Sequence, residues 1–195
     1  MALQKTVTSA LSIQYAADVL HAGGIIAYPT EGVFGLGCMP DDAAAVEYLL
    51  AIKGRNKRAG LILIAADYEL LAEWLAPSNI EKKRLTAGSA IPTTWIVTAT
   101  PAAPDWLTGG RNTLAVRITT HPIAAALSRA ADSALVSTSA NRTGHRPAKS
   151  ALQARRWFGN QLDYVLAGAT TGASGPSEIR VAHSGKTIRP VKTMK

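Results

Sequence analysis

The sequence predicts an α/β protein built as one domain. Short apolar runs rich in Ile, Val and Leu alternate along the chain with stretches whose apolar residues recur at helical spacing. With 195 residues, 47% of them apolar, the chain can bury one sizeable core without dividing. No internal repeat, low-complexity tract or linker interrupts it, so residues 1–195 read as a single domain.

Ile13, Ala16, Ala17 and Leu20 mark a first helix from Ser9, which Gly23-Gly24 stops before the extended run Ile25 to Tyr28. Val46, Leu49 and Leu50 stripe a second helix that begins at Asp42. It ends in the basic cluster Lys53-Gly54-Arg55-Asn56-Lys57-Arg58, on a loop leading to an apolar strand over Leu61 to Ala66. Further strands are expected at Thr94 to Ala99, Leu114 to Ile118, Ala134 to Ser137 and Tyr164 to Leu166. Helices are expected near Asp67 to Leu75, Pro122 to Ala131 and Ser150 to Phe158. Glu178 to Ala182 and Thr187 to Arg189 suit a terminal hairpin turning at Ser184-Gly185. Pro101 to Gly110 and Gly168 to Pro176 read as loops, the kind of segment that often covers a site.

Lys and Arg number 21 against 13 acidic residues, a formal charge of +8. That balance favours an anionic partner such as RNA, nucleotide or phosphate, although a generically basic, solvated surface has the same composition. The lone Cys38 rules out an intrachain disulfide framework and a multi-cysteine zinc site, and suits a small buried core residue. Met1 to Thr8 lacks an apolar signal core, and no stretch approaches the ~20 uncharged apolar residues needed to cross a bilayer. A soluble, cytoplasmic protein is expected.

Three clusters carry candidate chemistry. In Tyr28-Pro29-Thr30-Glu31-Gly32-Val33-Phe34-Gly35-Leu36-Gly37-Cys38, glycines follow a strand and permit close backbone approach to a ligand, or simply a tight strand connection. Lys53 and Arg55 can converge on one polyanion, or decorate a helix end. Ser137-Thr138-Ser139-Ala140-Asn141 puts hydroxyls and an amide at a strand's C-terminal end, where open α/β sheets bind ligands. An N-cap and turn cluster has the same composition. Arg117 and Arg189 lie within largely apolar strands and need partners. Because the acidic residues fall mostly on predicted helix surfaces, an anionic ligand is favoured over an internal salt bridge. His21, His121, His145 and His183 are scattered, and no hydrolase elbow or metal-binding His pair is present, so no protein-borne metal site is expected.

Together these motifs resemble the YrdC family, whose hallmark is Tyr-Pro-Thr-(Asp/Glu)-x-x-(Tyr/Phe)-Gly-Leu-Gly, then Lys-x-Arg, then Ser-x-Asn. Here they stand as Tyr28 to Gly37, Lys53/Arg55 and Ser139/Asn141. Pro92 to Val97, Ala115-Val116-Arg117 and Ile188-Arg189-Pro190 extend the match over roughly Ala10 to Pro190. The resemblance implies a single-domain twisted mixed sheet with flanking helices and a positively charged central cavity. It also implies synthesis of threonylcarbamoyl-AMP and pyrophosphate from L-threonine, bicarbonate and ATP. A tRNA-modifying transferase complex would then carry the carbamoyl group to the adenosine beside the anticodon.

By the same resemblance, Lys53, Thr113, Ser139, Asn141 and Arg189 would hold ATP, and Thr30, Arg55, Arg117, Ser137 and Ser177 would hold threonine. Lys53 and Arg55 would neutralise charge in the reaction, and Mg2+ would ride on the phosphates through water. The chain departs from the family at Glu31-Gly32, at Asn56 to Gly60, and at Ile64-Ala65-Ala66, where longer relatives carry a His. A competing reading is an RNA-binding or ribosome-maturation factor with no catalysis, bound directly to RNA or tRNA through its basic surface.

Overall fold

The computed structural model describes residues 8–173 and 175–190; the segment Met1 to Val7, where a signal core was sought, lies outside them. Helix α1 (Ala10–His21) starts where the Ser9 side chain accepts the Ser12 amide, and leads into β1 (Ile26–Pro29). Next come β2 (Phe34–Gly37) and α2 (Ala43–Lys53). Asp42 caps the start of α2, and Gly54, in the left-handed region at φ 60°, ends it. A 3-10 turn at Lys57–Ala59 precedes β3 (Ile62–Ala65). Then follow α3 (Asn79–Thr86), β4 (Thr93–Thr98), α4 (Asp105–Thr108), β5 (Thr113–Ile118), α5 (Pro122–Ala130) and β6 (Leu135–Ser139). The described chain closes with α6 (Ala151–Phe158), β7 (Tyr164–Val165) and the hairpin β8 (Glu178–Val181) and β9 (Thr187–Arg189).

The strands form one mixed sheet in the order β7-β1-β2-β6-β3-β5-β4-β8-β9. Pairings β1–β7, β3–β5 and β4–β8 are parallel, and the others antiparallel. Side chains alternate across a strand, and here each face feeds a separate core. Ala27, Leu63, Val116 and Val136 join α2 and α6 on one face, whereas Ile26, Tyr28, Ile64 and Leu135 pack beneath α1 and α5 on the other. With both faces covered, central strands read as unbroken apolar runs.

Three local expectations are corrected. The helix expected over Asp67 to Leu75 is a 3-10 segment at Glu69–Trp74. Its end is pinned to the sheet by a Leu75–Ala99 bridge and by Ala76 N–H donating to the Thr98 carbonyl, which leaves no length for α-helical turns. The glycine-punctuated stretch after Tyr28 contains a strand, β2. A Cβ at Gly37 would stand 2.5 Å from the Val136 carbonyl oxygen and 2.9 Å from the Tyr28 ring, so position 37 of this strand has room only for glycine. Helices α3 and α4 are additional; α3 is set by a capping box between Ser78 and Glu81 rather than by an apolar stripe.

Candidate functional site

Beyond the reach of α1 and α5, the sheet face they cover continues as the floor of a cavity of about 390 Å³. Register builds this floor. Ile62 lies between Ser137 on one side and Ala115 on the other, and Ala115 in turn faces Ile96. Alternation from Ala115 places Thr113 and Arg117 on the same face, and alternation from Ser137 adds Ser139. All of these line the cavity.

The walls come from loops. Thr30 closes the turn after β1, its hydroxyl donating to the Val33 carbonyl at 2.6 Å. Arg55 follows the left-handed Gly54; its Nη2 donates to the Gly60 carbonyl at 3.0 Å, while its buried Nε has no partner. On the opposite wall Ser177 shares a 2.7 Å hydrogen bond with the Thr94 hydroxyl, and Arg189 Nη2 donates to the Ser177 carbonyl at 2.7 Å. The cavity thus gathers Thr30, Arg55, Thr113, Arg117, Ser137, Ser139, Ser177 and Arg189 from the residues named by sequence.

Lys53 and Asn141 stand behind that lining rather than in it. Lys53, only 3% exposed, donates to the carbonyls of Ser139 and Asn141 and to Asn141 Oδ1 at 3.3 Å. The Ser139 hydroxyl donates to the same Oδ1 at 2.6 Å. Burial, then repulsion from Arg55, pulls the Lys53 ammonium down to about 8, against the acceptors that favour its charged form.

Arg117 does have an internal acid, which corrects the expectation that acidic residues would lie on helix surfaces. Its Nη2 stands 3.2 Å from Glu31 Oε2, with both side chains buried. The Thr119 hydroxyl donates to Glu31 Oε1 at 2.7 Å and the Thr120 amide at 3.1 Å. Burial alone would raise the Glu31 carboxyl, but Arg117 and these donors together hold it below its usual range. Even so, Arg117 Nε remains buried and unpartnered. Arg189 pairs with no carboxylate among the described residues, and burial, then Arg117 and Arg55, holds it below the ordinary arginine range. Arg189 thus feels the charge of the other two guanidiniums in the lining.

Sequence reasoning missed Arg111, which also lines the cavity, and the pairing role of Glu31, the one carboxylate in that lining. Neither position stands out locally, because Arg111 follows two loop glycines and Glu31 meets Arg117 only through the fold.

Comparison with known proteins fits this arrangement. The model of the Sua5/YciO/YrdC family, described as "Telomere recombination", matches residues 18–191. The threonylcarbamoyl-AMP synthase of Nitrosococcus oceani is 50% identical over 178 residues, covering 91% of this chain and 96% of that protein. The synthase of Halorhodospira halophila is 49% identical over 183 residues, covering 93% and 96%. Among solved structures, P. abyssi Sua5 complexed with L-threonine superposes with a TM-score of 0.84 at 27% identity, covering 92% of this chain and 53% of that longer one. E. coli YciO shares the fold at a TM-score of 0.76 and 23% identity, covering 96% and 95%. With a family model spanning most of its length and relatives half identical over nearly all of theirs, the chain belongs to the Sua5/YciO/YrdC family.

Proposed function

We propose that this protein is a nucleotidyltransferase that condenses L-threonine, bicarbonate and ATP into threonylcarbamoyl-AMP and pyrophosphate, supplying a tRNA-modifying transferase complex in the cytoplasm. The observation that carries the reading is the convergence of Arg55, Arg117 and Arg189 on one cavity with a single carboxylate, two of the guanidiniums keeping a buried Nε without a partner. Buried guanidinium N–H groups left without an acceptor, among cations that mostly have no carboxylate partner, call for an anionic ligand. Relatives half identical to the chain bear the synthase name.

The cavity holds one neutralised cation and others without an acid. Glu31 neutralises Arg117, and with Thr30, Ser137 and Ser177 in the same lining this suits an amino acid carrying both charges. Arg55 and Arg189 have no carboxylate partner among the described residues and suit the phosphates, with Thr113 and Ser139 in the lining and Lys53 and Asn141 behind it. Threonine's amine takes up bicarbonate and loses water to give a carbamate. A carbamate oxygen bonds to the α-phosphorus, and the bond to the α,β-bridging oxygen breaks, its electron pair leaving with pyrophosphate. Arg55, and Lys53 through the loop it holds, offset the charge that develops. Magnesium would add charge neutralisation on the phosphates, held by phosphate oxygens and water, because Glu31 is already committed to Arg117, Thr119 and Thr120.

The test is pyrophosphate release from ATP by purified, RNA-free protein. Release that requires both threonine and bicarbonate supports the synthase; no release with any amino acid rejects it.

One observation favours a second role, direct contact with RNA. Between Asp132 and Asp163 the chain has no acidic residue but carries Arg142, Arg146, Lys149, Arg155 and Arg156, all exposed and without a carboxylate partner among the described residues. Such a run of exposed cations suits a phosphate backbone, and binding to tRNA through it should fall steeply with salt. Among the described residues no helix is long and apolar enough to cross a membrane.

A further inference from the structure

Gly60 stands between two guanidiniums. Arg55 Nη2 donates to its carbonyl at 3.0 Å, and Arg111 lies against its α-carbon, so closely that a Cβ there would run into Nη2. Gly109, from the neighbouring loop, flanks the same guanidinium, and its Cβ would stand 2.9 Å from it. Both glycines hold left-handed backbone, at φ 67° and 66°. The loops are tied together where the Leu61 amide donates to the Leu107 carbonyl at 2.9 Å. Two glycines from two loops thus form a slot for one guanidinium, which Arg111 Nη1 fixes by donating to the Arg58 carbonyl at 3.0 Å.

This placement makes little sense for folding alone. Neither Arg55 nor Arg111 pairs with a carboxylate among the described residues, and both line the cavity. Two cations that flank one residue and line one cavity can both reach a bound polyanion. Arg55 sits deeper, half-buried with a free Nε, whereas Arg111 is exposed at the cavity's solvent edge. An elongated polyanion entering from solvent would meet Arg55 with its inner part and Arg111 with its outer end.

We propose that Arg111 binds the terminal phosphates of ATP and, as the bond from the α-phosphorus to the bridging oxygen breaks, the departing pyrophosphate. This rests on the synthase reading for the identity of the polyanion. A planar guanidinium held in a slot can present two parallel N–H groups to one phosphate, which a flexible ammonium cannot.

The test compares wild type with Arg111→Ala and Arg111→Lys by equilibrium binding of ATP, AMP and inorganic pyrophosphate, and by steady-state kinetics. Arg111→Ala should weaken ATP and pyrophosphate by about tenfold or more, the scale of one lost charge-assisted contact. AMP affinity, the KM for threonine and the melting temperature should hold, and Arg111→Lys should fall between. Unchanged ATP and pyrophosphate affinity in Arg111→Ala overturns the proposal. So does an equal loss for AMP, which would mark a structural role for the tie to Arg58. If wild type binds ATP and pyrophosphate in an Arg111-dependent way yet releases no pyrophosphate from ATP with threonine and bicarbonate, the synthase reading falls and the phosphate contact stands.

Discussion

Glu31 and Arg117 form a buried ion pair 3.2 Å apart in the wall of the cavity, and Thr119 and Thr120 both donate to the carboxylate that completes it. The pair joins the turn after β1 to the end of β5, two segments 86 positions apart by residue number (117 − 31). It also offsets the charge of Arg117, whereas Arg55 and Arg189 in the same lining have no carboxylate partner among the described residues. A buried pair of this kind is worth little compared with an apolar replacement, but removing one partner strands the other.

Glu31→Gln should therefore destabilise the protein by about 3 kcal/mol, the usual scale for leaving one member of a buried pair uncompensated. Denaturant unfolding measures this. The pH dependence has a definite sign. The folded-state carboxyl titrates below its ordinary 4.5, so its contribution is complete above that value and disappears as pH falls through the lowered one. Glu31→Gln should flatten this part of the acid limb; an acid limb identical to wild type would remove Glu31 as its source.

Arg55 should separate activity from stability. Among the described residues it has no carboxylate partner, and its side chain donates one hydrogen bond, to the Gly60 carbonyl. Arg55→Ala should lower turnover about 100-fold or more, the scale of losing a preorganised charge at a transition state, while shifting the melting temperature little. Turnover within twofold of wild type would take Arg55 out of the reacting centre.

Lys53 should behave differently, because its ammonium satisfies the carbonyls of Ser139 and Asn141. Lys53→Met leaves those acceptors buried and should cost about 1–3 kcal/mol of stability as well as ATP affinity. Since burial, then Arg55, brings the ammonium to about 8, ATP binding by wild type should weaken as pH rises through that value. Folding has the opposite slope. Between about 8 and the ordinary 10.5 the folded chain has released a proton that the unfolded chain keeps, so this group's effect on stability improves with pH. A titration of ATP affinity from pH 7 to 9.5 that is flat in wild type would refute the assignment.

Local signals carried much of the fold. Ser9 and Asp42 cap helices where their sequence context says they should, Gly23 turns the chain ahead of β1, and the terminal hairpin falls at Glu178–Arg189. What failed had no apolar periodicity, and the local signal of α3 is only the Ser78–Glu81 capping box. β2 hides behind Gly35 and Gly37, whose missing side chains make room for Tyr28, and α3 offers only Ile80 and Leu85 as apolar residues in a polar octet. The site divides in the same way. Motif residues identified its lining, but the partner of Arg117 depends on how β3 and β5 are aligned with the turn at Glu31. Likewise, the place of Arg111 depends on two loops meeting at Gly60 and Gly109.

Gly32 offers a test of how the loop before β8 shapes the site. The Ala173 amide donates to the Glu31 carbonyl at 3.0 Å and the Thr171 hydroxyl at 3.3 Å, drawing this loop across the turn after β1. A Cβ at Gly32 would collide with the Gly175 carbonyl oxygen and stand 3.1 Å from that of Ala173. The obstruction is backbone, so Gly32→Ala must push the loop outward, and Ser177 lies just two residues beyond Gly175. Gly32→Ala should therefore raise the KM for threonine several-fold and weaken ATP by a smaller factor, because Arg189 donates to the Ser177 carbonyl while Arg55 lies on the opposite wall. Equal losses for both substrates would show that the loop supports the whole cavity, and unchanged kinetics would show that it yields freely.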